Sequence, residues 1–134
     1  MILLREYNLF IIKKEYFDYY QRNPLFLFDV LKNLYHLKHD FNYGISLYDQ
    51  LCERINIFHW KYYLNKRYSL DNERTFYIDR TFIELRHSRI IVRSKGNFEI
   101  IKDFNEYNKS IFACDFINND YFWVNKSNSL LVKM

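Results

Sequence analysis

Between residues 24 and 68 the apolar side chains recur every three or four positions; from residue 80 onward they alternate or gather in short blocks. That change of period fixes the class of fold. Recurrence at three and four marks helices with one buried face, whereas alternation marks strands whose side chains point to opposite sides of a sheet. Helices in one run and hairpins in another build an α+β domain. The expected order is β-α-α-α-α-β-β-α-β-β. It gives about five strands in a mostly antiparallel sheet, with helices packed mainly on one face.

Individual segments follow from local chemistry. "LREYNLFII" (4–12) is rich in strand formers and ends in the apolar Phe10-Ile11-Ile12, as a buried strand does. Lys13 to Arg22 reads as a short helix. Pro24 suits the first turn of a second helix with Asn23 as its N-cap, running to about Leu37 with Leu27, Val30, Leu31, Leu34 and Leu37 on one stripe. Ser46 can cap a helix through Leu47, Leu51 and Arg54, and 56–68 repeats Ile57, Trp60, Leu64 and Tyr68 at helical spacing. "SLDNE" (69–73) reads as a turn. "RTFIELRHSRIIVRS" (80–94) reads as two strands with a tight turn near His87-Ser88. Asn97 can cap a helix with Phe98, Ile101, Phe104 and Tyr107 on its apolar side. "SIFACDF" (110–116), "INND" (117–120) and "YFWVN" (121–125) form a final hairpin.

The chain's 134 residues suit a single domain, 1–134, with no internal repeat, linker or low-complexity tract. No stretch approaches the roughly 18 uncharged apolar residues of a membrane span. "MILLREYNLFII" carries Arg5 and Glu6 and lacks a small-residue cleavage site, so it reads as a strand and not a signal peptide. Cys52 and Cys114 form no disulfide framework and suit free thiols in a reducing cytoplasm. The expected location is cytoplasmic.

The residues do not assemble into familiar catalytic patterns. His36 and His39, followed by Asp40, have a spacing that shares a metal, but no second Cys/His pair completes a tetrahedral set. His59 lies within an apolar helix and suits a packed residue or partner contact, and His87 sits in a turn. The cysteines have apolar neighbours and no activating context. Two glycines 52 positions apart, Gly44 and Gly96, make no phosphate loop. Asp79 and Glu84 could meet in space, a coincidence expected at this carboxylate density. The expectation is a protein that is not an enzyme and uses no metal or cofactor.

Charge is uneven. Residues 54–95 hold ten basic and four acidic side chains, while the segments on either side are each close to neutral. Arg86, Arg89, Arg93 and Lys95, with His87, make a basic hairpin, and Lys61, Lys66 and Arg67 precede it. Interleaved with Tyr62, Tyr77 and Phe82, they suit a phosphate-and-stacking surface. A nucleic-acid-binding module built on 54–95 is therefore one reading. The plainer one is a solvated sheet edge whose charges discourage aggregation.

The first helix carries a different signal. "KKEYFDYYQR" places Tyr16, Phe17 and Tyr20 within about 100° of the helix, and Tyr19 widens the aromatic arc to about 160°. A core-facing stripe needs about 100°. The helix can seat Phe17 inward and still present a tyrosine edge, with Tyr16 and Tyr20 as neighbours on one ridge. Rigid tyrosine pairs are favoured at binding hot spots because they bury much area at little rotamer cost. An AT-rich coding sequence would also enrich Tyr and Phe, so an ordinary core is the competing account.

"LFIIKKEYFDYY" with "LFLFDVLKN", "RINIFHWKYYLNKR" (54–67) and above all "SIFACDFINNDYFWVN" (110–125) resemble, in order, the SirA family of sporulation inhibitors of replication from Gram-positive bacteria. Asp115-Phe116 and Tyr121-x-Trp123 carry the most specific part of the likeness. The resemblance implies a cytoplasmic inhibitor of chromosome replication that acts without catalysis. Its partner would be the N-terminal domain of the initiator DnaA, met by a monomer in a 1:1 complex, with an indirect association with origin DNA and no membrane. The family's first-helix contacts fall on Tyr16 and Tyr20 here, with Tyr19 beside them, and a further contact aligns with Tyr48. This chain has Tyr16 where the family has Phe, and it lacks the family's proline after the final hairpin.

Overall fold

The structure, a computed structural model, describes residues 4–36, 47–67, 75–78, 81–95, 98–106 and 110–124. Six strands form one antiparallel sheet: β1 (Arg5–Ile11), β2 (Thr75–Ile78), β3 (Thr81–Leu85), β4 (Ile90–Ser94), β5 (Ile111–Asp115) and β6 (Asp120–Trp123), in the order β2-β3-β4-β1-β5-β6. The helices are α1 (Lys14–Arg22), α2 (Pro24–Tyr35), α3 (Ile57–Arg67) and α4 (Glu99–Asp103), the last running into a 3-10 turn, Phe104–Glu106. Residues 47–51 form a further helical turn.

β1 is central because it is apolar on both sides. Tyr7, Leu9 and Ile11 enter one interior with Ile83, Leu85, Ile90, Val92, Ile111 and Ala113, covered by Trp60 and Leu64 of α3 and by Ile101 and Phe104. Phe10 and Ile12 enter the other with Phe112, Cys114 and Phe116, covered by Leu27, Phe28 and Leu31 of α2 and by Tyr48, Leu51 and Cys52. The α+β class is as expected, but the helices cover both faces of a six-stranded sheet, where the periodicity suggested mainly one face and about five strands. The physical reason is in the strands: the unbroken apolar runs of β1 and β5 give each sheet face hydrophobic area that must be hidden from water.

The helix at 47–51 ends sooner than Arg54 because the chain then joins the sheet. Cys52 bridges Ile12, the Lys13 N–H donates to the Leu51 carbonyl at 3.0 Å and the Glu53 N–H to the Ile11 carbonyl at 2.8 Å. Asn23 takes the N-cap position of α2 as expected, its carbonyl accepting from the Leu27 N–H at 3.2 Å, but its side chain does not cap that helix. Its side-chain amide donates to the Tyr19 carbonyl at 2.8 Å and its own N–H to the Tyr20 carbonyl at 3.1 Å, so it closes α1. Phe98 precedes α4 in the capping position. Gly96, Asn97, Ser46, Leu37 and Tyr107, like the 69–73 turn, lie outside the described residues.

The "SIFACDFINND" motif resolves into a polar knot. Asp115, 1% exposed, accepts hydrogen bonds from the N–H groups of Ile117 and Asn118 and from the Asn118 amide, closing the β5–β6 turn. Arg5 reaches the same carboxylate from β1 with Nε at 3.0 Å and a terminal nitrogen at 2.9 Å, and touches Asp120 at 3.4 Å. Tyr7 donates to Asp120 beside it. Asn119 takes the left-handed conformation, φ 54°, that asparagine tolerates better than most residues. Lys32 of α2 donates to its side-chain oxygen at 2.6 Å. The hairpin is thereby tied to both β1 and α2.

Candidate protein-interaction surface

α1 buries no residue completely. Its aromatic arc is graded. Phe17 turns inward, its ring edge-on to Trp123 at 5.0 Å, and Tyr20 is half-buried against the Phe10–Phe112 interior. Tyr16 and Tyr19 stand out at 40% and 55% exposure. The Tyr19 and Tyr20 rings meet edge-to-face, centroids 5.0 Å apart, so the outer ring is propped by the inner one. Burial, then the neighbouring phenols of Tyr19 and Tyr16, push the Tyr20 hydroxyl above its ordinary pKa. The pair facing water is therefore Tyr16 and Tyr19, one step round the helix from the Tyr16–Tyr20 ridge that the spacing suggested.

Further exposed apolar side chains follow just beyond Asn23. Leu25 and Phe26, in the first turn of α2, are 57% and 60% exposed. They border a shallow depression of about 490 Å³ that Arg22, Pro24, Asp29 and Tyr121 also line. Sequence reasoning passed over Leu25 and Phe26. The signal was present: the buried stripe through Leu27 and Leu31 leaves positions 25 and 26 off to one side.

Tyr48 is a different case. It is 7% exposed, stacked on Phe10 with centroids 5.6 Å apart, and walled in beside Leu51 and Cys52. Burial pushes its phenol up to about 12, opposed by the nearby Arg89 guanidinium, with which it makes no well-aligned hydrogen bond. Tyr48 holds the 47–51 turn on the sheet and offers no ring to a partner. Its spacing of three and four from Leu51 and Cys52 was the available clue.

The basic hairpin is largely spoken for. Arg86 pairs with Glu84. Arg93 donates to Glu6 at 2.7 Å, and its guanidinium lies 5.7 Å from the centre of the Phe82 ring. Arg89 is half-buried, its guanidinium 5.5 Å from the centre of the Tyr35 ring. Lys95 is exposed and borders a shallow depression of about 590 Å³ with Leu4, Tyr77, Phe82 and Arg93. His87 contacts Asp49 at 3.1 Å, and Arg54 reaches that carboxylate at 3.2 Å. Burial alone would raise the Asp49 pKa, but these two partners outweigh it and hold it below its ordinary value.

Other candidates for chemistry sit apart. His36 and His59 are exposed, His59 on the outer side of α3 rather than packed, while His39, Asp40 and Asp79 fall outside the described residues. Among the described residues no three His, Cys, Asp or Glu side chains gather as a metal site. Burial pushes both Cys52 and Cys114 thiols well above their ordinary pKa, so they rest as neutral core side chains. No helix among the described residues is long and apolar enough to cross a membrane. No protein-family model matches the chain, and no curated protein matches it.

Proposed function

We propose that this protein is an inhibitor of replication initiation that binds the N-terminal domain of DnaA through the α1–α2 corner. The observation that carries the reading is the exposure of Tyr16, Tyr19, Leu25 and Phe26 together on a helix pair whose inner sides are already packed. These four side chains are left 40–60% exposed by the fold. Two rigid phenols and two apolar side chains, rimmed by Glu15, Asp18, Arg22 and Asp29, have the make-up of a protein–protein interface: an apolar centre and a charged edge. The ordered likeness to the SirA family supplies the identity of the partner. Tyr16 stays in the surface as that likeness implies, Tyr19 joins it, Tyr20 acts as its backing, and Tyr48 leaves it.

The mechanism is steric. Covering the initiator's N-terminal domain hinders its assembly at the origin, with no chemical step. Such an inhibitor works by mass action, so its concentration in the cytoplasm must reach its Kd for the initiator. The test is isothermal titration calorimetry of DnaA N-terminal domain into the protein. Wild type gives a saturable 1:1 isotherm, and Tyr16→Ala/Tyr19→Ala weakens it at least tenfold, about 1.4 kcal/mol, with an unchanged circular dichroism spectrum. A double variant that binds as tightly as wild type removes the surface from the account.

Among the described residues, the pairing of Arg86 and Arg93 with carboxylates gives the 81–94 hairpin little free positive charge for phosphate. Those pairs weaken the nucleic-acid reading at Arg86 and Arg93, while Arg89, set against the Tyr35 ring, and the exposed Lys95 have no carboxylate partner among the described residues.

A further inference from the structure

α3 carries two ridges of large side chains on opposite sides. Trp60 and Leu64, one turn apart, face the interior at 1% and 0% exposure. Phe58 and Tyr62, also one turn apart, lie about 160° round the helix from them and stand in water at 83% and 65%. Lys66 extends the outer ridge by another turn, its ammonium 4.7 Å from the centre of the Tyr62 ring. Lys61 flanks it. From 57 to 67 the sequence has three basic residues and no acidic one. Among the described residues, neither Lys61 nor Lys66 has a carboxylate at ion-pair distance. Arg86 and Arg93 of the hairpin, by contrast, are paired with carboxylates.

We propose that the outer face of α3 binds single-stranded nucleic acid, with bases stacking on Phe58 and Tyr62 and phosphates meeting Lys61 and Lys66. The pattern favours that occupant. Two rings one helical turn apart are flat platforms that any base can use, and cations beside them match the backbone of a strand. A duplex keeps its base faces hidden in the stack. A membrane surface calls for an unbroken apolar band, and His59, Lys61 and Asn65 interrupt this one. A peptide's anchor side chain wants a pocket, whereas Phe58 projects from a convex helix at 83% exposure. α3 lies across the sheet from α1 and α2, since it packs on the Tyr7–Leu9–Ile11 side and they pack on the Phe10–Ile12 side. A strand on α3 would leave the α1–α2 corner clear. The inference stands independently of the DnaA reading.

The test is fluorescence anisotropy of a labelled oligothymidylate titrated with the full chain, with no initiator in the cell. Wild type binds, and raising salt from about 50 to about 200 mM weakens binding roughly sevenfold, as two phosphate contacts require. Phe58→Ala and Tyr62→Ala each weaken binding roughly tenfold. Both sites are exposed, so circular dichroism should be unchanged. Lys61→Ala/Lys66→Ala flattens the salt dependence. Three outcomes overturn the proposal: no anisotropy change with wild type, binding that survives the double ring variant, or binding to phosphatidylglycerol vesicles without binding to the oligonucleotide. Because the cell holds no DnaA, loss of the initiator reading would leave this result untouched, and the reverse also holds.

Discussion

α1 and α3 are two short aromatic helices that the fold uses in opposite ways. α3 drives Trp60 and Leu64 into the sheet and seals one interior, while α1 buries nothing completely and rests on Phe17 and half of Tyr20. The difference lies in the company each helix keeps on its face of the sheet. α3 packs Trp60 and Leu64 into a cluster drawn from all six strands and is joined there by Ile101 and Phe104. α1 shares its face with α2 and the 47–52 segment, which already supply Leu27, Phe28, Leu31, Tyr48 and Leu51. A face sealed by its neighbours leaves the third element free to present rings to another molecule. The lesson is that aromatic content alone does not assign a helix to the core; the area left uncovered by its neighbours does.

Three variants would break or sharpen that contrast, beginning with the largest effect. Trp60→Ala removes a side chain that is 1% exposed and leaves a cavity against Phe104, so chemical denaturation should show a loss of about 3–5 kcal/mol. A loss below about 1 kcal/mol would mean that α3 does not seal its face. Arg5→Ala strips a cation from the buried Asp115. The carboxylate keeps its donors from Ile117 and Asn118, and Arg5 is 31% exposed, which moderates the effect to about 1–3 kcal/mol in the same measurement. Tyr16→Ala/Tyr19→Ala should move stability by about 0.5 kcal/mol or less per site, since both residues are exposed at the surface, at 40% and 55%. A large loss there would show that α1 is a structural wall after all.

Much of this molecule was legible in its sequence. The α+β class, the 81–94 and 111–123 hairpins and the bounds of α1 and α3 follow from period and turn chemistry, because those are local properties. The places where reading failed depend on neighbours far along the chain. Thr75–Ile78 is a four-residue edge strand with no alternation long enough to detect. That β1 and β5 would need cover on both sides was implicit in Phe10-Ile11-Ile12 and in "SIFACDF", yet the rule for half-exposed antiparallel sheets argued otherwise. The pairing of Arg93 with Glu6 follows from the register of β4 on β1, which places the two residues directly opposite, and no local pattern encodes a register. Within α1 the helical wheel gave the width of the aromatic arc correctly. Which end of the arc faces water was set by Trp123, 106 residues beyond Phe17.

The central claim is that the α1–α2 corner is a surface held ready for another protein. Hydrogen exchange read by mass spectrometry, with and without the N-terminal domain of DnaA, tests it most directly. The account predicts that added protection is confined to peptides spanning 14–29, while those from α3 and the 81–94 hairpin exchange as before. Protection on α3 or the hairpin with none on 14–29 would contradict it.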